Sequence, residues 1–157
     1  MSSTKFDNFN SEELSILKEC IDTVPLMDSY ISNIIESYIY STEQEYYENG
    51  ALKIQYRTKY GVKDGDYKKW YPNGQLCQQS IYLNGKLNGE CICWFENGQK
   101  SLHCTYLDEK WNGKYKMYYN NGQLFIECMY VNGIENGEYK KWNKNGRIIQ
   151  HKYYKYR

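Results

Sequence analysis

Between residues 43 and 155, short runs of alternating apolar and polar residues are separated by Asn and Gly. Examples are DYKKWYP at residues 66–72 and QLCQQSIYLNG at residues 75–85. Runs of this length that are rich in aromatic and β-branched residues and end in turn residues are typical of β-strands. An Asn-Gly pair between two such runs predicts a β-hairpin with a type I′ turn, because Asn and Gly both tolerate positive φ.

The turn signals recur every 24 residues without insertion. The Asn-Gly pairs are Asn49-Gly50, Asn73-Gly74, Asn97-Gly98, Asn121-Gly122 and Asn145-Gly146. Two further glycine series keep the same step: Gly65, Gly89, Gly113 and Gly137, and Gly61, Gly85 and Gly133, with Glu109 as the one exception. The stretch from Asn84 to Gly89 predicts a second, wider turn between hairpins. A fixed period of this kind is the signature of a repeat architecture.

The period therefore predicts a mainly β fold. We expect an elongated, single-layer antiparallel meander of 24-residue β-hairpin repeats, about four and a half in number, over residues 43–157. In the expected register Tyr71 lies opposite Leu76, Lys69 opposite Gln78 and Tyr67 opposite Ser80. The more apolar face of the sheet is predicted to be the packed one. Its expected members are Tyr67, Tyr71, Leu76, Tyr82, Cys91, Cys93, Phe95, Leu102, Cys104, Tyr106, Tyr115, Met117, Tyr119, Leu124, Ile126, Cys128 and Tyr130.

Residues 1–40 have a different pattern. The segment NSEELSILKECI predicts a helix with Asn10 or Ser11 as its N-cap. A second helix is predicted in PLMDSYISNIIESYIY, where Tyr30, Ile34 and Tyr38 fall at helical spacing. Two short amphipathic helices would cover the open first edge of the sheet, so a cap is the expected role of this segment.

The composition predicts where the protein is located and which class of partner it does not bind. The formal net charge of +1 provides no general attraction to nucleic acid, so no nucleic-acid partner is expected. No signal peptide and no run of 18 apolar residues is apparent, which predicts a cytoplasmic protein. The six cysteines are then expected to be reduced. The 19 tyrosines supply apolar area with a polar tip, which suits a sheet that meets water.

The repeat G-x-Y-x-x-W-Y-x-N-G-Q-L followed by Y-x-N-G-x-x-N-G resembles the variant MORN repeat of bacterial antitoxin-like proteins and giant-virus proteins. The resemblance covers residues 43–154, and it departs from the pattern at Cys91, Glu109 and Asn143. It implies a sheet of hairpins that acts as an interaction module and has no catalytic residues. The segment VPLMDSYISNIIESYIY is similar to the F-box-like helices that precede such repeats in some giant-virus proteins. The location implied for a viral protein is the host cytoplasm.

Little in the sequence predicts chemistry. Cys91, Cys93 and Cys104 would share one face, but a tetrahedral zinc site needs a fourth ligand, and buried thiols that fill the sheet face are the expected arrangement. His103 and His151 share one repeat position with Glu127 between them, at steps of ~10 Å, which is too far for a shared metal or proton. No nucleophile, zinc or phosphate-binding motif is present. We therefore expect no enzyme, no cofactor and no metal.

The feature most open to a functional interpretation is an aromatic column on the opposite face: Trp70, Trp94, Tyr118 and Trp142. Basic residues are expected to flank it: Lys68, Lys69, Lys116, Lys140 and Lys141. These rings either stabilise neighbouring strands or form a binding surface. Two functions follow from such a surface: a non-enzymatic scaffold that binds an unidentified protein partner, and a module that binds anionic phospholipid. The resemblance to the variant MORN repeat allows a third, an antitoxin-like neutraliser of a partner, which nothing in the residues favours. Self-association through the sheet edges is also open.

Overall fold

The computed structural model describes residues 10, 12, 13, 15, 16, 19, 33 and 36–155. Residues 40–154 form one open antiparallel sheet of 11 strands, so the predicted mainly β meander is confirmed. The strands are β1 (Tyr40–Tyr46), β2 (Leu52–Lys59), β3 (Val62–Trp70), β4 (Leu76–Leu83), β5 (Lys86–Trp94), β6 (Lys100–Leu107), β7 (Lys110–Tyr118), β8 (Leu124–Val131), β9 (Ile134–Glu135), β10 (Gly137–Trp142) and β11 (Ile148–Tyr154).

The strands pair in chain order, and the two-residue β9 pairs with β8 beside β10. Together β9 and β10 occupy the place of one strand such as β7, one period later. The second strands of the hairpins begin at residues 52, 76, 100, 124 and 148, so the 24-residue step of the sequence is also the step of the structure.

The turns at the Asn-Gly pairs are not the predicted type I′ turns. In the second hairpin, β3–β4, Gly74 N donates to Tyr71 O and Tyr71 N donates to Gln75 O, which encloses a loop of three residues. Gly74 has φ of 82°, whereas the φ angle of Asn73 is not positive. This is a type I turn followed by a left-handed glycine. Asn73 stabilises it through Oδ1, which accepts from Gln75 N.

Two-residue turns with positive φ at both positions lie at the other end of the hairpins. Asn84 and Gly85 have φ of 48° and 82°, and Glu109 occupies the glycine position of its turn at φ of 65°. The predicted wider turn from Asn84 to Gly89 is therefore wrong, because β5 resumes at Lys86. Gly89, at φ of 115°, lies inside β5 opposite an irregularity of the pairing with β4.

The predicted register holds along the strands and fails beside the turns. Tyr67 pairs with Ser80 and Lys69 with Gln78, as expected, but Leu76 pairs with Trp70 and not with Tyr71. A bulge between Lys69 and Trp70 causes the shift. Leu76, and likewise Leu124 opposite Tyr118, therefore lies on the side opposite to the predicted one.

The packed side of the sheet is the predicted one at its centre. Cys91 and Cys104 are buried on the hairpin β5–β6 and Cys128 is buried on the next, and Ser80 is fully buried on β4 at the repeat position of Cys104 and Cys128. We call this side the thiol face. Tyrosines flank its buried line, and Trp111 lies 4.9 Å between ring centroids from both Tyr115 and Tyr130. The opposite side carries Trp70 and is called the tryptophan face.

A tyrosine before each turn ties one hairpin to the next. The hydroxyl of Tyr71 donates to Trp94 O at 2.8 Å. The same bond runs from Tyr47 to Trp70 O at 2.7 Å and from Tyr119 to Trp142 O at 3.0 Å. We call these bonds hydroxyl ties. Phe95 occupies the equivalent position in the third hairpin and has no hydroxyl.

At the N-terminus, Asn10 is the helix N-cap. Its Oδ1 accepts from the backbone N of Glu12 and Glu13, and Glu13 Oε2 accepts from Asn10 N, which is a capping box. Residues 36–39 are helical and lead directly into β1. Residues 20–32 lie outside the described residues, and with them the expected cap over the first edge and the F-box-like segment around Pro25.

Candidate functional site

The predicted aromatic column is one row on the tryptophan face. Cross-strand partners share one side of a sheet. Trp70 pairs with Leu76, Trp94 with Lys100, Tyr118 with Leu124 and Trp142 with Ile148. The rings are half-buried, and Ile148 at the end of the sheet is exposed. The result is a nearly continuous apolar row that lies beside the Asn-Gly turns. We call it the aromatic row.

Tyr46 is the first member of this row and is not among the residues predicted from the sequence. Tyr46 is one period before Trp70 and pairs with Leu52 through the same kind of bulge. Its side chain is 57% exposed, more than any other ring of the row. The 24-residue period predicts this position, because Tyr46 lies one repeat before Trp70. With Tyr46 included, the row begins on β1 and ends at Ile148 on β11.

The lysines predicted to flank the row are divided between the two faces. Lys69 and Lys141 alternate with their neighbours Trp70 and Trp142 and so belong to the thiol face. The Lys141 ammonium there lies 5.1 Å from the centroid of the Phe125 ring. The other three, Lys68, Lys116 and Lys140, are on the tryptophan face.

Charges on the tryptophan face are largely paired. Lys116 Nζ is 2.9 Å from Glu127 Oε1, and this hydrogen bond raises the pKa of Lys116. Lys140 Nζ is 2.8 Å from Glu138 Oε1, and its donation is the main reason why the pKa of Glu138 is lowered. These contacts leave an apolar row beside a nearly neutral polar surface.

The two histidines have acidic partners of their own. His103 Nε2 lies 2.6 Å from Glu90 Oε1, and His151 Nε2 lies 2.9 Å from Glu138 Oε1. Both pairs join the same two positions of the repeat, because each step between them is 48 residues. Glu127 between the histidines is bound to Lys116 and belongs to neither pair.

On the thiol face Cys91 lies directly opposite Cys104, as predicted. Hydrogen bonds from Cys104 and Cys93 lower the pKa of Cys91, while their hydrogen bonds to Cys91, together with burial, raise the pKa of the other two thiols. Burial raises the pKa of the Cys128 thiol to about 11. Within residues 36–155 and the described helical positions, the cysteines are free and no group of three metal ligands is arranged to hold an ion.

Three parts of the chain match one known family model. The family model of the MORN repeat variant matches residues 41–60, 63–84 and 111–132. These matches support a MORN repeat protein. Each matched stretch coincides with one hairpin of the sheet: β1–β2, β3–β4 and β7–β8. Hairpins β5–β6 and β10–β11 lie outside the matches, and they include Cys91 and Asn143, where the sequence departs from the repeat.

MORN repeats are generally repeats that interact with proteins or membranes, and the family is non-enzymatic. The matches contain nothing specific to antitoxin-like or giant-virus proteins. No curated protein matches the chain. Among the described residues, no helix is both long enough and apolar enough to cross a membrane.

Proposed function

We propose that this protein is a non-enzymatic scaffold that binds a protein partner along the aromatic row of the tryptophan face. The observation that carries the proposal is the row itself. Half-buried rings recur at one position of the repeat, on the side of the sheet that is not occupied by the thiols. Tryptophan and tyrosine supply large, rigid contact areas, and they are the residues that most often dominate the energy of protein interfaces.

The dimensions of the row favour a linear partner surface. Six strand spacings separate Trp70 on β3 from Trp142 on β10. At ~4.8 Å for each spacing the row is roughly 29 Å long. An α-helix of ~20 residues has that length. An amphipathic helix or an extended apolar segment of a partner would therefore contact most of the row.

The electrostatics favour a protein over an anionic lipid surface. Two of the five lysines that would attract lipid, Lys69 and Lys141, are on the other face, and Lys116 and Lys140 have acidic partners within 2.9 Å. Apolar contact, and not net positive charge, is thus the main source of affinity that this face offers. Co-sedimentation with anionic vesicles at physiological salt should consequently show no binding.

The test is a quantitative pull-down with the full chain and a variant that combines Trp70→Ser, Trp94→Ser and Trp142→Ser. A matched control removes three exposed apolar side chains at the opposite end of the hairpins, through Leu83→Ser, Leu107→Ser and Ile134→Ser. Circular dichroism and the urea midpoint establish that both variants are folded. If the triple tryptophan variant unfolds, the single change Trp142→Ser replaces it.

The expected result is that specific partners are lost with the tryptophan variant and retained by the control. Retention by both folded variants would refute the aromatic row as the binding surface. The rings would then serve only to stabilise adjacent strands, at ~0.2–1 kcal/mol for each pair.

A further inference from the structure

The two end strands of the array, β1 and β11, correspond to strands that pair with each other inside the repeat. The array consists of whole hairpins, so it starts with a first strand, β1, and ends with a second strand, β11. At every internal junction a second strand pairs with the first strand of the next hairpin, as β2 does with β3 and β4 with β5. The outer edge of β11 is therefore of the kind that pairs, inside the sheet, with a strand in the place of β1.

Both end strands are accessible in the described part of the chain. Every residue of β1 is exposed, and so are five of the seven residues of β11. Within that part, β2 is the one strand beside β1, and β10 is the one strand beside β11. Such edges present backbone donors and acceptors that can pair with another chain.

The charges of the two ends are opposite. Residues 40–48, which comprise β1 and the start of its turn, contain Glu43, Glu45 and Glu48 and no lysine or arginine. Residues 147–155, which comprise β11 and its flanks, contain Arg147, Lys152 and Lys155 and no acidic residue. Two β1 edges would repel each other, and so would two β11 edges, whereas unlike edges attract.

We propose that the β11 edge of one copy of this chain pairs antiparallel with the β1 edge of a second copy, in the register of the internal repeat junctions. At the β2–β3 junction Ile54, Gln55 and Tyr56 pair with Lys69, Lys68 and Tyr67. The residues of β11 that correspond to β2 lie four repeats later, and the residues of β1 that correspond to β3 lie one repeat earlier. The equivalent pairs across the junction are therefore Gln150 with Glu45, His151 with Gln44 and Lys152 with Glu43. The register thus places a lysine directly opposite a glutamate.

The turns add a second match. Asn97 Nδ2 donates to Asn120 O of the next hairpin, and Asn121 Nδ2 donates to Lys144 O. Asn145 occupies the same position in the last turn. In the proposed register the equivalent acceptor is Glu48 O of the second copy, so this tie between turns also continues across the junction.

The junction is expected to be shorter than an internal one. The internal first strands carry a glycine with positive φ at residues 65, 89, 113 and 137, where the pairing is irregular. Ser41 stands at this position in β1 and has no positive φ. Pairing is therefore confined to the part of β1 that follows Ser41, which makes the association reversible and sensitive to salt. Because the two surfaces differ, chains add head to tail, and the contact leaves one free edge at each end unless the rotation between copies closes a ring.

Sedimentation velocity of the full chain over a range of concentrations tests the proposal. We expect species larger than a dimer, which grow with protein concentration and shrink as salt is raised. Lys152→Glu and Glu43→Lys should each weaken association by roughly 3- to 10-fold, because each puts like charges across the junction. An equimolar mixture of the two variants should recover association, since it restores opposite charges at each contact.

Lys86→Glu is the matched control, because Lys86 is exposed at the start of β5, beside a two-residue turn and far from both edges. It should leave association unchanged, and circular dichroism checks that all variants are folded. A monomer at every concentration would overturn the proposal and favour an N-terminal segment that covers β1. A closed dimer that responds to only one of the two charge changes would also overturn the proposal, because it would show that two copies pair through like edges.

Discussion

The hydroxyl ties make a direct prediction about how consecutive repeats stabilise one another. Tyr71→Phe removes one hydroxyl and leaves the ring in place, so the tie to Trp94 O is lost at constant shape. The third hairpin offers the reverse experiment, because Phe95→Tyr adds a hydroxyl where the repeat places Tyr118 O as acceptor. The two substitutions are the same chemical change in opposite directions.

The magnitude follows from the environment of the bond. The bond from Tyr71 is 2.8 Å long and partly buried. Burial raises the pKa of the Tyr71 phenol to about 12, so the hydroxyl is protonated and can donate at neutral pH. A hydrogen bond of this kind contributes ~0.5–1.5 kcal/mol. We expect Tyr71→Phe to lower the free energy of unfolding by about 1 kcal/mol and Phe95→Tyr to raise it by up to about half as much.

Urea unfolding at pH 7 measures both changes, and an unchanged slope with denaturant shows that the exposed surface is the same. Tyr153→Phe is the control, because Tyr153 is 72% exposed. Its effect should stay within ~0.5 kcal/mol. If Tyr71→Phe changes stability no more than Tyr153→Phe does, the hydroxyl ties do not couple the repeats and the reasoning is refuted.

Three further predictions concern the turns and the thiol face. Glu109→Gly should raise the free energy of unfolding by ~0.5–1 kcal/mol because Glu109 has positive φ, whereas Lys110→Gly should lower it; equal effects in a urea titration would contradict this. Cys128→Ser should lower the free energy of unfolding by ~1–3 kcal/mol, because the new hydroxyl would be buried without the amide donor that Gln78 supplies to Ser80. Ile126 holds the position of Gln78 in that repeat, so Ile126→Gln added to Cys128→Ser should recover part of the loss in a double-mutant cycle. Stability should fall as pH rises from about 9 to 11, because burial raises the pKa of the Cys128 thiol from its ordinary value near 9 to about 11; Cys128→Ser should flatten this decline in urea titrations at several pH values.

Much of the fold was predictable because the period is strict. A 24-residue step without insertion sets the order of the hairpins, and alternation along β3 and β4 sets pairs such as Tyr67 with Ser80. The structure has five hairpins where about four and a half were predicted, and β1 already begins at Tyr40. The central buried residues, Cys91, Cys104 and Cys128, follow from the same alternation. These features depend on local sequence that is repeated several times, so one pattern supports each of them.

The turn type was not predictable from Asn-Gly alone, since this dipeptide fits two-residue and three-residue loops. Pro72 contained the missing signal. In a two-residue loop, Pro72 would have to donate a backbone hydrogen bond to Gln75, and proline has no N–H. Tyr71 N makes that bond instead. The resulting bulge moved Leu76 to the tryptophan face, so the same error in turn type also misplaced one partner of the aromatic row.

The candidate site was predictable only in part. The aromatic row follows from the period, but the pairing of its lysines does not. Lys116 with Glu127 is a cross-strand pair, whereas Lys140 with Glu138 lies along one strand. Which acidic residue a lysine contacts depends on side-chain conformation, and the repeat pattern does not specify it.

Photo-crosslinking tests the central claim, that the aromatic row is the surface on which a protein partner binds. A benzophenone amino acid replaces Tyr118 on the row, or Tyr106 on the thiol face as the matched control. The prediction is a covalent adduct with a partner polypeptide from position 118 alone, which excess unmodified protein suppresses and Trp94→Ser abolishes. Adducts from position 106 and none from position 118 would contradict the account, because the partner would then lie on the opposite side of the sheet.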